Sequence, residues 1–445
     1  MPSENRPPDP AGPASGPRSA ELFDERLAAA REALRSEDAS ARTDAVDALR
    51  CLADGTSSDE QVQAVVDVLC AYLRTPDAPA PADRTSPAAP PGPDPLREVR
   101  HAVVETIGDH LREDTRWRGR DYDFSGAVFD GGDLSRAVFL GGAVSFRGAR
   151  FTGGRVLFTG ARFAGGRVDF GEAEFTGARA DFTGAGFTGA EVYFTGARFV
   201  EGSVDFDSAE FSGGQVFFDG ARFTGPASVL TFVNARFTGA EVRFAGAEFA
   251  DGTVSFHGAE FAAGSVRFTG ARFTGGTVSF SWARFTGAAV GFAGADFFDG
   301  LLFFDSAEFA AGKVSFGSAV FSGGARFFDE ARFTGGKLYF GSLFTGGVAV
   351  FDRAEFAAGK VFFSGTEFVE GIVRFEEARF TGGTVTFEGT RFSAAAASFH
   401  GAEFTGGTVA FDDASGERPE GLPANAGRRG SVIRCLPDEW DEWAV

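Results

Sequence analysis

Over residues 122–411 large apolar residues return at short fixed intervals, separated by polar residues and glycines. The stretch Arg272-Phe273-Thr274-Gly275-Gly276-Thr277-Val278-Ser279-Phe280 shows the unit. In Val278-Ser279-Phe280 an outward polar residue lies between two inward apolar ones, the period of two of a strand. Glycine at this density excludes helix. The glycine pairs suit corners, where positive φ and close backbone approach are needed. The pattern therefore predicts many short strands joined by glycine corners and stacked as a solenoid.

Before residue 115 the periodicity is different. Residues 1–18 are rich in Pro, Ser and Gly, bury little, and are expected to be disordered. Apolar residues then recur at three- and four-residue spacing in four segments. Ser19 is the expected cap of a helix from Ala20 to Leu34, with Phe23, Leu27, Ala30 and Leu34 on one face. Ser40 is the expected cap of a second, with Ala45, Leu49 and Leu52 inward and Gly55 stopping it. A third runs from Asp59 to Leu73 and is apolar around much of its girth, as a central helix would be. Residues 75–95 are Pro- and Ala-rich and read as an extended linker. A fourth helix runs from Leu96 to Leu111, with Val99, Val103, Ile107 and Leu111 in one stripe. Residues 19–115 thus form a small helical domain. His101 and His110 on its last helix lack a partner at metal-ligand spacing and are read as structural.

At Trp117-Arg118-Gly119-Arg120 the pattern changes. In Asp123-Phe124-Ser125-Gly126-Ala127-Val128-Phe129-Asp130-Gly131, and again in Asp133-Leu134-Ser135-Arg136-Ala137-Val138-Phe139, apolar residues fall every five, each with a small residue two before it. This resembles the pentapeptide-repeat family and its A-(D/N)-L-x-x pattern. The resemblance implies a right-handed quadrilateral β-helix over 121–413, mainly β, one pentad to a side, with the central Phe or Leu and the small residue pointing inward. From Val144 the unit lengthens to V-x-F-x-G-A-x-F-x-G-G-x, twelve residues, read as two pentads plus a glycine expansion at a corner. The register slips by two at Gly225-Pro226-Ala227-Ser228 and loses one residue near Phe344.

The outward charges decide how many twelves make one coil. In chain order they read Arg222, Arg236, Glu248, Glu260, Arg272, Arg284, Asp296, Glu308, with signs in pairs. One twelve per coil would stack like charges at half the steps. Two per coil give a face reading Arg236, Glu260, Arg284, Glu308, Arg332, Glu355, Arg379, Glu403, opposite at every step. Opposite neighbours across strands contribute about 0.2–1 kcal/mol each and like ones cost, so coils of about 24 residues are favoured. Ancestral duplication of a long unit would leave the same pattern. About twelve such coils give a rod near 58 Å at strand spacing of ~4.8 Å.

Composition adds limits. The net charge is −20 over 445 residues, with 54 Phe and 62 Gly; such acidity argues against direct nucleic-acid binding. Cys51, Cys70 and Cys435 form neither a disulfide framework nor a metal set. The start Met1-Pro2-Ser3-Glu4-Asn5-Arg6 has no apolar signal region, and no stretch is apolar enough to cross a membrane, so a cytoplasmic protein with no membrane contact is expected.

No catalytic pattern, cofactor motif or metal site is found. The carboxylates alternate with Arg as ladders, His257 and His400 repeat one outward corner, and the T-G-G turns lack the Lys and helix of a phosphate loop. Thr after Phe recurs as a corner residue (Thr152, Thr176, Thr274) rather than as an ice-binding array. The expected function is a non-catalytic scaffold for protein–protein interaction, its partner another protein, with a homo-oligomer open because alternating ladders can mate with a shifted copy. The resemblance supplies the alternative: some members mimic DNA and bind gyrase or topoisomerase, giving fluoroquinolone tolerance. The segment 414–445 holds Trp440 and Trp443 among acids, which either cap the last coil, contact a partner or stay loose.

Overall fold

The computed structural model describes residues 17–75, 95–393, 396–423, 426, 432–438 and 440. The 1–16 part of the N-terminal segment, the 76–94 part of the Pro-rich linker, and Trp443 lie outside the described residues.

Four helices precede the strands: α1 (Pro17–Ala33), α2 (Ala39–Asp54), α3 (Asp59–Arg74) and α4 (Pro95–Arg112). Two caps differ from expectation. Helix α1 starts at Pro17, before Ser19, since proline is preset for the first helical position. The cap of α2 is Asp38, whose carboxylate accepts the N–H of Ser40 at 3.0 Å; Ser40 lies inside the first turn. Gly55 ends α2 with φ −81°, not left-handed, its N–H bonded to the carbonyls of Ala53 and Cys51. Helix α3 is the central one, with Val62, Val65, Val66, Leu69, Cys70 and Leu73 buried.

The helices close the first coil. Arg100 of α4 donates to the carbonyls of Leu73 at 2.8 Å and Val128 at 2.9 Å, tying α3, α4 and the first strands together. Arg112 reaches the carbonyls of Ser135 and Asp133, and Arg74 pairs with Asp123. A Cβ on Gly132 would stand 2.8 Å from the Val104 side chain, so α4 rests directly on that strand.

The rod is a β-solenoid of parallel strands. Each coil has four short sides in chain order. In one coil these are Arg236-Phe237, Glu241–Arg243, Glu248-Phe249 and Thr253–Ser255, and the chain then stacks Glu260 on Arg236. The first two sides often merge into one eight-residue strand, giving three sheets of 18, 13 and 12 strands. The thirteen strands of the third side imply one coil more than expected; their twelve spacings at ~4.8 Å span about 58 Å.

Two corner types alternate. After the second and fourth sides comes a tight turn such as Phe244-Ala245-Gly246-Ala247, with Ala247 N bonded to Phe244 O at 3.2 Å and Gly246 at φ 62°, a type II turn. After the first and third sides comes the glycine corner. Gly276 sits there at φ 68°, and a Cβ on it would meet Gly252 O of the previous coil at 2.7 Å. The turn position tolerates side chains, for Arg136, Glu172, Ser208, Asn234 and Trp282 all take positive φ there.

Four phenylalanine ladders fill the interior. Rings stack between coils at 4.9 Å for Phe261–Phe285, 4.8 Å for Phe268–Phe292, 4.5 Å for Phe273–Phe297 and 4.9 Å for Phe280–Phe304. Phe rings from diagonally opposite turns meet edge to face in the centre, as Phe268 and Phe280 do at 6.3 Å. Alanines such as Ala247, Ala259 and Ala271 are fully buried between them. The two breaks in period are each repaired by a buried serine. Ser228, in the two-residue insertion, donates to Phe199 O at 2.9 Å. Ser342, where one residue is lost, bonds Phe316 O at 2.8 Å. Sheet pairing continues in register past both.

Candidate interaction faces

With the interior filled by Phe, Ala and Val, the chemistry of the rod lies on its four walls and two ends. On the first side Arg236, Glu260, Arg284, Glu308, Arg332, Glu355, Arg379 and Glu403 occupy one position of eight successive coils. The ion pairs are not continuous along this column. Each Arg reaches the Glu of the following coil: Arg236–Glu260 at 3.9 Å, Arg284–Glu308 at 3.7 Å, Arg332–Glu355 at 3.6 Å and Arg379–Glu403 at 3.5 Å. Among the described residues no ion pair joins a Glu of this column to the Arg that follows it. These are long contacts between half-exposed side chains, each contributing well under ~1 kcal/mol.

The tail residue Trp440 is buried at the far end. Its ring packs edge-on against Phe411 at 5.6 Å and its Nε1 donates to Gly416 O at 2.7 Å. Ile433 pairs with Val409 and extends the sheet by one short strand. Ile433 and Trp440 thus cover the last coil, as the helices cover the first.

Sequence reasoning missed three groups. In the early coils Asp181 and Asp205 are buried on the fourth side and paired with Arg155 at 2.9 Å and Arg179 at 2.5 Å; the spacing Arg-x-Asp at 167–169 and 179–181 was the available signal. Arg326 occupies an inward position that Leu302 and Ala349 hold in the adjacent coils. Its guanidinium lies over the rings of Phe321 and Phe297 and donates to Gly323 O, while its Nε has no partner. Burial pulls its pKa down to about 9. Third, the outward positions of the fourth side turn apolar at Leu301, Phe303, Phe327, Val348 and Ile372.

The candidates for chemistry are placed as follows. His101 meets Asp130 of the first coil at 2.9 Å, and His110 bonds Thr106 O and Asp54 in the helical cap and stacks on Trp117 at 4.3 Å. His257 and His400 lie exposed on turns of separate coils. Burial pushes the Cys70 thiol far above its usual range, which removes it as a nucleophile. Cys51 and Cys435 are exposed and unbridged. Among the described residues no three His, Cys, Asp or Glu cluster to hold a metal ion, and no helix is long and apolar enough to cross a membrane.

Residues 124–174 match a family model described as pentapeptide repeats in nine copies. No curated protein and no solved structure matches the chain. The matched segment covers the first coils, and the same turns, corners and strand register continue to Gly416. The chain therefore carries pentapeptide repeats over residues 124–174, at the start of a Phe-rich β-solenoid that runs between a helical cap and a tryptophan-bearing tail.

Proposed function

We propose that this repeat solenoid is a non-catalytic scaffold that docks other proteins on its side walls and works in the cytoplasm without a cofactor. The observation that carries the reading is the filled interior: among the described residues four buried Phe ladders pack the axis, while the walls present residues repeating at coil spacing. Rigid repeat walls of this kind suit extended contacts with a partner. A groove of about 1100 Å³ does exist between α1 and α2 of the cap, lined by Leu22, Phe23, Ala30, Ala45 and Leu52. Arg26, Asp44, Ser57, Ser58 and Gln61 line it as well.

DNA mimicry stays the second reading because residues 121–413 carry 34 acidic and 23 basic residues, a net of −11. Against it, Arg interrupts Glu at every step of the first wall from Arg236 to Glu403, so no continuous line of phosphate-like charge runs down that side. Affinity capture of the intact protein from lysate of its host, read by mass spectrometry, tests both. A protein retained in stoichiometric amount supports the scaffold. Gyrase or topoisomerase subunits retained in a salt-sensitive way would shift the reading to mimicry. No protein above the level of a bead control would contradict both.

A further inference from the structure

The chain contains three lysines, and all three fall on one wall. Lys313, Lys337 and Lys360 occupy the same position of the second side in three successive coils. All three are exposed, and among the described residues none forms an ion pair. Beside them Tyr339 and Phe362 stack at 4.7 Å, and the Lys313 ammonium lies 4.7 Å from the Tyr339 ring. The first wall alternates charge from coil to coil. Here three like charges stand at strand spacing, an arrangement that costs stability unless a counter-charge arrives from outside.

The opposite wall of the same coils is complementary. The fourth side there carries the apolar stripe, with Leu301 37% and Ile372 43% exposed and Phe303 stacked on Phe327 at 5.0 Å. Along the turn that borders it, Asp305, Asp329 and Glu376 stand in a column with none in an ion pair among the described residues. Only Asp352 in that column is neutralised, by Arg374. Carboxylates therefore recur along one wall at the spacing at which ammonium groups recur along the other, each column beside aromatic or aliphatic surface.

We propose that the rod associates side by side with a second copy of itself, the Lys313–Lys337–Lys360 wall of one copy seated on the acid-bordered apolar wall of the next. The two faces lie on opposite sides of a four-sided coil, so the contact is heterologous and does not close on a dimer; copies add laterally into a raft. Parallel copies keep the coils level and bring both charge columns into step over the same few turns. The patch is only about four coils tall, near the small end of specific interfaces, so assembly depends on concentration and weakens with salt. This rests on the scaffold reading only in using side walls for docking; its failure leaves docking of other proteins untouched.

Sedimentation velocity of the intact protein at rising concentration in low salt is the test. The wild type is expected to shift to larger species and to return to monomer in 0.5 M salt. The variant K313E/K337E/K360E and the variant D329K/E376K, each checked for folding by circular dichroism, are each expected to lose assembly at least tenfold in apparent affinity. Mixed together they are expected to regain it, because the reversed lysine wall of one meets the reversed acidic wall of the other. A wild type that stays monomeric at several hundred micromolar overturns the proposal, as does a mixture that fails to recover while the wild type assembles. Binding of an Arg-rich peptide to the acidic wall without self-association would assign that wall to a foreign partner and overturn it as well.

Discussion

The indole N–H of Trp440 donates to the carbonyl of Gly416 at 2.7 Å, so a residue of the tail reaches back to the last strand of the third side. A solenoid needs this at both ends, since its terminal coils expose the core and unpaired strand groups. Trp440→Ala should therefore open the last coil selectively, easing its local unfolding by about 3 kcal/mol. Hydrogen exchange should accelerate in residues 396–416 and stay unchanged in the middle coils; uniform acceleration would mean the tail supports the whole rod.

The two glycine environments should respond differently to a methyl group. Gly270 sits at φ 63°, and a Cβ added there would meet nothing within 4 Å, whereas one on Gly276 at φ 68° would meet Gly252 O at 2.7 Å. Gly270→Ala is expected to cost about 1 kcal/mol, the left-handed penalty alone. Gly276→Ala adds a clash with the backbone of the previous coil and should cost clearly more. Equal losses in denaturant unfolding would show that close stacking does not set the glycine corner.

Charge reversal on the ladder should have a small, screened effect. Arg284→Glu places a third carboxylate between Glu260 and Glu308 and removes the 3.7 Å contact to Glu308. A loss of about 1 kcal/mol is expected at low salt, shrinking in 0.5 M salt. A loss unaffected by salt would point to packing of the arginine stem instead.

The acidic column should make stability rise on mild acidification. Burial, with the Asp329 carboxylate beside it, raises Asp305 to about 6. The folded state therefore holds a proton that the unfolded chain has already released, and stability from this group falls as pH rises from about 4 to about 6. Asp305→Asn should be more stable than the wild type at pH 7, and the difference should fade below pH 4. A constant difference at all pH values would remove Asp305 as its source.

How much of this was legible follows from period. The Phe positions and the pairing of Arg236 with Glu260 could be read because both recur at 24 residues, and strand register is set by such repetition. Single events could not be read that way. Asp38 rather than Ser40 caps α2 because a carboxylate two residues earlier already holds the Ser40 N–H. Arg326 is placed inward by register alone, against its chemistry, and only the neighbouring Phe297 and Phe321 rings show how it is accommodated. The three lysines and the apolar run from Leu301 to Ile372 were visible as exceptions to the repeat. Their facing on opposite walls emerges only when the coil is folded.

The most direct test of the wall-docking account is a footprint of the intact protein bound to a partner captured from its host, by hydroxyl-radical labelling or hydrogen exchange. The account predicts protection on one wall, at residues recurring about every 24 positions across several coils. Protection confined to the helical cap or the tail, with the walls unchanged, would contradict it and leave the rod as a spacer.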